Sequence, residues 1–401
     1  MIYEAGALSH IDPVVELHRF FAGFPGQSSQ ILIVPLSIDN LPETSMDSAD
    51  RPVPARRFSP FNVCITIVSL VLVLGGLVGW YWLEVERDAR KVADVTPTFS
   101  VAVDFPMKLE ARFKDADGDL VADPPADARE WLDPEMLVFA TLGSDATKEA
   151  ADWADFIVYL KEVTGKEVRI ESHNFLNRKQ FEEIAGGKLH VIALSTGSVV
   201  PAVNVGGFVP VCVMADADGK FGYEMEIIVP SDRTNINSLH DLKGKRVGFA
   251  NFQSHSGFKL PVVTLWEAGL LYERDYQFTY TGGQTNSVRE VRMKRCDAVG
   301  VANDVLKREL AAERITKDDY RTIYTSGTFP SACFGYVNTL KPELAANIRK
   351  AFLKFPWAGS SLEKAYKGSE QVKFVPIEYA KDWAAVRATD ESLRKVFETK
   401  P

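Results

Sequence analysis

The sequence predicts an α/β fold, a mostly parallel sheet with helices on both faces. Three observations point there. From Met136 onward, short apolar runs alternate with amphipathic ones, the pattern of repeated strand–helix units. Several of these strands end in polar turns that open a helix: Ser195-Thr196, Ser254-His255-Ser256 and Gln284-Thr285-Asn286-Ser287. Finally, 401 residues at 46% apolar and 25% charged content suit a globular chain of two or three domains.

The elements follow in order. Residues 1–60 are rich in proline and turn formers and read as a disordered segment. Val63 to Leu83 carries no charge over 21 residues. As a helix it would cover roughly 30 Å of hydrocarbon, enough for a transmembrane anchor over residues 61–84. Trp80, Tyr81 and Trp82 sit at one end as an interfacial belt. Arg51, Arg56 and Arg57 precede the span, so the positive-inside bias puts the N-terminus in the cytoplasm. The large C-terminal part then lies outside the inner membrane, in the periplasm. A cleaved signal peptide is the rival, but no A-x-A site closes the run.

Residues 85–134 read as an extracytoplasmic linker. Phe99 to Phe113 alternates apolar and polar residues, as a strand does, with Pro106 placing it at an edge. The acidic turn after it sets Asp115, Asp117, Asp119 and Asp123 at positions 1, 3, 5 and 9 of a calcium loop. Leu120 and Ala126 stand where that loop needs Gly and Glu, and a solvated acidic turn is the competing reading.

Strands are expected at Leu137–Leu142, Glu167–Glu171, His190–Leu194, Phe208–Met214 and Tyr223–Val229. Further strands follow at Arg246–Ala250, Tyr276–Tyr280, Cys296–Val301 and Arg321–Thr325. Helices are expected at Thr147–Thr164, Phe181–Ala185 and Val288–Arg295, near Pro342–Phe355, and near Ala380–Phe397. Ligands of open α/β sheets bind outside the carboxyl ends of the strands, so the three polar turns are candidates for one shared site. The turn after Arg246–Ala250 is the central one. A helix start there offers free N–H groups and the positive dipole end to an anion, though a plain serine N-cap has the same appearance.

The net charge of −8 and the lack of a basic stripe argue against nucleic acid. No Walker loop or G-x-G-x-x-G turn is present, so no nucleotide cofactor is expected. The four cysteines form no C-x-x-C pair, and outside the apolar span Cys212, Cys296 and Cys333 leave room for one bridge. His255 beside Ser256 invites a nucleophile–base reading, but adjacent residues at a helix start seldom bond each other and no G-x-S-x-G elbow is present.

From about Leu137 to Arg387 the chain resembles the phosphonate/phosphite substrate-binding proteins of ABC transporters. The matching text includes Leu239-His-Asp-Leu-Lys-Gly-Lys-Arg-Val-Gly-Phe249, Ser254-His-Ser-Gly257, Gly282-Gly-Gln-Thr-Asn-Ser-Val288 and Cys296-Asp-Ala298. The resemblance implies the type II periplasmic binding protein fold: a Venus-flytrap of two lobes, here 135–225 with 328–401, and 226–327. It implies that Ser254, His255 and Ser256 bind the oxyanion, with Tyr223, Gln284 and Asp304 carrying further ligand roles. Ser195 and Thr196 join them from the third polar turn, at a strand end facing the cleft. It also implies an ABC permease as partner. A ligand-sensing domain that signals to a partner is the alternative, and a hydrolase in the same cleft a more distant one. Two departures bear on the ligand. Ser195-Thr196-Gly197-Ser198-Val199 stands where the family has Gly-Pro-x-Ser-Tyr, and a family tyrosine is missing near Asn177. Phosphonate, phosphite and phosphate therefore all stay open.

Overall fold

The structure is a computed structural model and describes Ser69 and residues 71–81, 102–143, 145–173, 175, 177–272 and 274–398. The chain divides into two compact units, Met1–Val73 and Leu74–Pro401. In the first, the described residues Ser69 and Val71–Val73 are helical and exposed. The remainder of the expected disordered segment lies outside the described residues. In the second unit, Leu74–Tyr81 is helical and exposed. Among the described residues no helix is long and apolar enough to cross a membrane. Much of the expected span, Val63–Val68, Leu70, Trp82 and Leu83, lies outside them.

The rest of the second unit is built on two sheets. The first has the order β11-β4-β10-β3-β1-β2, from β1 (Met136–Thr141), β2 (Glu167–Ser172), β3 (Val191–Leu194), β4 (Phe208–Ala215), β10 (Cys333–Val337) and β11 (Lys373–Pro376). The second has the order β7-β6-β8-β5-β9, from β5 (Tyr223–Pro230), β6 (Arg246–Phe249), β7 (Gln277–Tyr280), β8 (Ala298–Ala302) and β9 (Tyr320–Phe329). The chain passes between sheets twice, from β4 to β5 and from β9 back to β10. Two sheets are what the resemblance implied, but the expectation that the strands run mostly parallel is corrected. In the first sheet β1 pairs in parallel with β2 and β3, but β10 runs antiparallel to β3 and β4, and β11 to β4. In the second, β6 is parallel to β7 and β8, while β5 is antiparallel to β8 and β9. The antiparallel pairs arise at the strands that carry or receive the crossings.

The apolar runs explain the cores. In the first lobe Phe139, Phe156, Phe334, Phe352 and Phe374 pack ring on ring, all with less than a tenth of their surface exposed. In the second lobe Phe249 stacks on Phe278, ring centroids 4.9 Å apart. Burying one such side chain stabilises the fold by about 1.5–3 kcal/mol. Cys212, Cys296 and Cys333 are free and buried, so no bridge forms among the described cysteines.

Two local expectations are corrected. Thr147–Thr164 is two helices, Ala146–Asp152 and Ala154–Thr164, broken at Trp153, whose indole packs edge-on against Phe139. From Ala102 to Phe113 the described chain forms no strand. Its alternation is real: Phe105 is buried, and Val103, Met107 and Leu109 rest against the core. Its backbone, however, bonds to a helix end instead of a ladder. Glu110 N–H donates to Asn204 O at 3.0 Å, and Asn204 Nδ2 donates to Pro106 O at 2.8 Å. An extended arm over a helix end satisfies the same period-two pattern as an edge strand. In the acidic turn, the nearest oxygens of Asp115, Asp117 and Asp119 lie within 4.8 Å of one another, without Asp123. Asp123 Oδ2 instead accepts the Ala116 N–H, and Asp115 and Asp119 also accept backbone N–H groups.

The final helix, Ala384–Glu398, packs on helix Leu260–Glu267, which follows β6 of the second sheet. Tyr272 and Phe397 meet edge to face, 5.8 Å between centroids.

Candidate functional site

The tips of β3 and β6 meet where the two sheets approach each other. After β6 the chain turns through Ala250–Ser254 and winds one π-type turn, His255–Lys259, before helix Leu260–Glu267. Ser254 is the cap: its hydroxyl accepts the Gly257 N–H at 3.1 Å, and its carbonyl accepts from Phe258 and Lys259. The wider π turn is closed by Leu260 N–H donating to His255 O. Such turns are rare and often mark functional sites. Gly257 is required by crowding: a Cβ there would stand 2.6 Å from the Ala250 Cβ.

After β3, Ser195 leads into the single turn Thr196–Ser198. Thr196 Oγ1 donates to Pro330 O at 2.8 Å, on the segment joining β9 to β10. A Cβ on Gly197 would lie 2.3 Å from Gln253 O and 3.0 Å from His255 N, so the two tips are in direct contact.

Tyr223, at the start of β5, stands beside them. Its phenol lies near the Thr196 and Ser256 side chains, and burial pushes its pKa up to about 12. Gln284 caps the group from the next helix, Gln284–Arg292. Its Nε2 donates to Ser256 Oγ at 3.1 Å and to Ser254 Oγ at 3.3 Å, while its Oε1 accepts the Ala302 N–H at 2.7 Å. Thr196, Tyr223, Ser254, Ser256 and Gln284 thus form one cluster of hydroxyl and amide groups.

The other three expected residues stand differently. His255 is 2% exposed, lies edge-on to Phe329 at 4.4 Å, and neither ring nitrogen has a partner. Burial, and then the charge of Lys259, lowers its pKa to about 3, so the ring is neutral. Ser195 bonds Ser198, hydroxyl to hydroxyl at 2.9 Å, and is half-buried. Asp304 lies one residue into helix Asn303–Ala311 and pairs with Arg308 at 3.2 Å.

Asp304 instead faces two adjoining cavities of about 510 and 330 Å³ lined by residues of both sheets and their loops. Both touch Met214, Asp304, Arg308, Ser331, Ser369 and Gln371.

One residue that sequence reasoning missed holds the cluster. Lys259 is fully buried, donates from Nζ to Gly197 O at 2.7 Å and pairs with Asp390 at 2.9 Å. Burial lowers the lysine's pKa and raises the aspartate's. The ammonium also stands 5.1 Å from the Phe105 ring centre. The available signal was a lone cation inside the apolar run Phe258-Lys-Leu-Pro-Val-Val263. Trp383 adds a tie, its indole N–H donating to Thr196 O at 3.1 Å.

The family model for the phosphonate periplasmic substrate-binding protein of ABC transporters matches residues 140–383. The chain belongs to this family. Members are transport binding proteins, and the protein functions as a phosphonate/phosphate-type ABC substrate-binding protein. It is 24% identical over 270 residues to "Phosphate-import protein PhnD" of Mycolicibacterium smegmatis, covering 64% of this chain and 82% of that one. The fold is shared with PhnD1 from Prochlorococcus marinus in complex with methylphosphonate (TM-score 0.54, 15% identity, 66% of this chain and 100% of that one). It is likewise shared with a binding protein component of an ABC phosphonate transporter from Pseudomonas aeruginosa (TM-score 0.53, 16% identity, 66% and 98%).

Proposed function

We propose that the protein captures a small oxyanion, a phosphonate, phosphite or phosphate, at the cluster of Ser254, Ser256, Thr196, Tyr223 and Gln284, with the neutral His255 ring beside it. It passes the ligand to an ABC permease from a site tethered to the inner membrane by Val63–Leu83, with residues 135–225 and 328–401 as one lobe and 226–327 as the other. The observation that carries this reading is the gathering of the Ser254 and Ser256 hydroxyls under the Gln284 amide, at the place where the Gly197 tip meets the backbone of Gln253 and His255. An anion entering there meets neutral hydroxyl, amide and backbone N–H donors on both lobes. In a dry cleft each charge-assisted bond is worth about 1.5–3 kcal/mol. Neutral donors also avoid the desolvation cost of a buried cation placed opposite the ligand. Ser195 supports the β3 tip through Ser198, and Asp304 lies on the rim that faces the cavities. Calorimetric titration of the purified full chain in detergent with phosphite, phosphate and methylphosphonate tests the reading. Saturable binding of one of them is expected, and heats no larger than buffer for all three would remove it.

A further inference from the structure

At three places the two cavities are lined by chain neighbours of the oxyanion cluster. Gly222, which lines the larger one, precedes Tyr223. Thr328 and Ser331 flank Pro330, whose carbonyl takes the Thr196 hydroxyl. Asn303 and Asp304 follow Ala302, whose N–H is held by Gln284. Together they are large beside a bare four-atom or five-atom anion and match the size of pockets that enclose organic ligands.

Their walls are polar. Ser331 is 7% exposed, faces both cavities, and its hydroxyl has no partner. A buried hydroxyl without a partner is costly, and a ligand atom bonded to it would remove that cost. Arg308 faces both cavities too, and its fork donates one bond, from Nη1 to Asp304. The carboxylate of Asp304 is engaged twice, by Arg308 and by the Val305 N–H at 2.7 Å. The neck shared by the cavities therefore offers donors, and its acid is already paired.

We infer that this chamber holds the carboxylate-bearing substituent of an organic phosphonate, with Arg308 and Ser331 as its donors. The inference rests on the oxyanion reading above: the phosphonyl group occupies the Ser254–Ser256 turn and the carbon chain leads its second anionic group to the neck. A guanidinium fork matches a carboxylate bidentately. An ammonium group at the same place would meet Arg308 and a carboxylate already spent.

The test is calorimetry on the full chain in detergent, with phosphite, methylphosphonate, 2-aminoethylphosphonate and 3-phosphonopropionate as probes. The expected result is 3-phosphonopropionate binding about tenfold or more tighter than methylphosphonate. That gain disappears in Arg308→Gln and shrinks in Ser331→Ala, while phosphite binds all three proteins alike. The guanidinium is half exposed and outside the cores, so phosphite also reports that the variants are folded. If phosphite binds and 3-phosphonopropionate gains nothing, or gains equally in both variants, the inference is overturned and the oxyanion reading stands. Tighter binding of 2-aminoethylphosphonate than of 3-phosphonopropionate also overturns it. If no probe binds, the oxyanion reading falls with it.

Discussion

Ser256 concentrates the chemistry of the cluster in one hydroxyl. It accepts from Gln284 and lies beside the Tyr223 phenol, with 1% of its surface exposed. Ser256→Ala removes a donor of the proposed ligand site while Gln284 keeps Ser254. The expected result is a ten- to hundredfold rise in the oxyanion Kd, with about 1 kcal/mol lost from urea unfolding. Calorimetry and denaturant titration on the same sample separate the two effects. The neighbouring His255 makes a pH prediction. Its folded pKa, near 3, lies below the ordinary 6.5, so between those values the unfolded chain binds a proton that the folded chain refuses. Its stabilising effect is complete above pH 6.5 and is lost as pH falls. Between pH 6.5 and 5 the wild type should lose about 2 kcal/mol that His255→Leu does not lose. Parallel slopes of unfolding free energy against pH in the two proteins would refute it.

At the scale of elements, the π turn and its lysine decide how the β6 tip meets the β3 tip. Lys259 and Asp390 are both fully buried, so each charge depends on the other. Lys259→Met leaves the aspartate uncompensated and is expected to cost about 3–5 kcal/mol, whereas Lys259→Met with Asp390→Leu should recover most of it. Urea midpoints of the single and double variants give the comparison, and a double variant as unstable as the single would contradict the pairing. Gly197→Ala works differently. Its Cβ meets backbone atoms of Gln253 and His255, so the tips must part while each lobe keeps its core. Affinity should fall far more than stability, and a fall in both together would place Gly197 in the core instead. Much at this scale was legible. β1 to β8 sit within a few residues of their expected places because their apolar runs are short and closed by turn formers. β10 was missed because Cys333-Phe-Gly-Tyr-Val337 has no polar residue and lies only a few residues after β9. β11 is four residues with proline at its end, too short for a period to show. The arm at Phe105 misled because alternation reports a buried side and says nothing of where the backbone bonds go.

For the whole molecule, the three polar turns were readable as a set, but which of their groups meet was not. Thr196, Ser256 and Tyr223 come from separate strands, and only the double crossing between sheets brings them together. Lys259 with Asp390, and the Arg308–Ser331 neck, are contacts across long sequence separations that no local pattern encodes. The expected anchor is the opposite case, an expectation from composition alone. Val63–Leu83 has no charge, and its described residues from Val71 to Tyr81 are helical with exposed apolar side chains such as Leu72 and Leu77. Apolar surface left in water costs about 25 cal/mol per Å², which a bilayer would return. The full chain should therefore sediment with inner membranes and resist alkaline carbonate, which strips peripheral proteins. Deleting residues 1–83 should move the protein to the soluble fraction with its oxyanion affinity unchanged, since no residue of the cluster lies in that segment. Recovery of the full chain in the soluble fraction would reject the tether and leave the binding cleft as it stands.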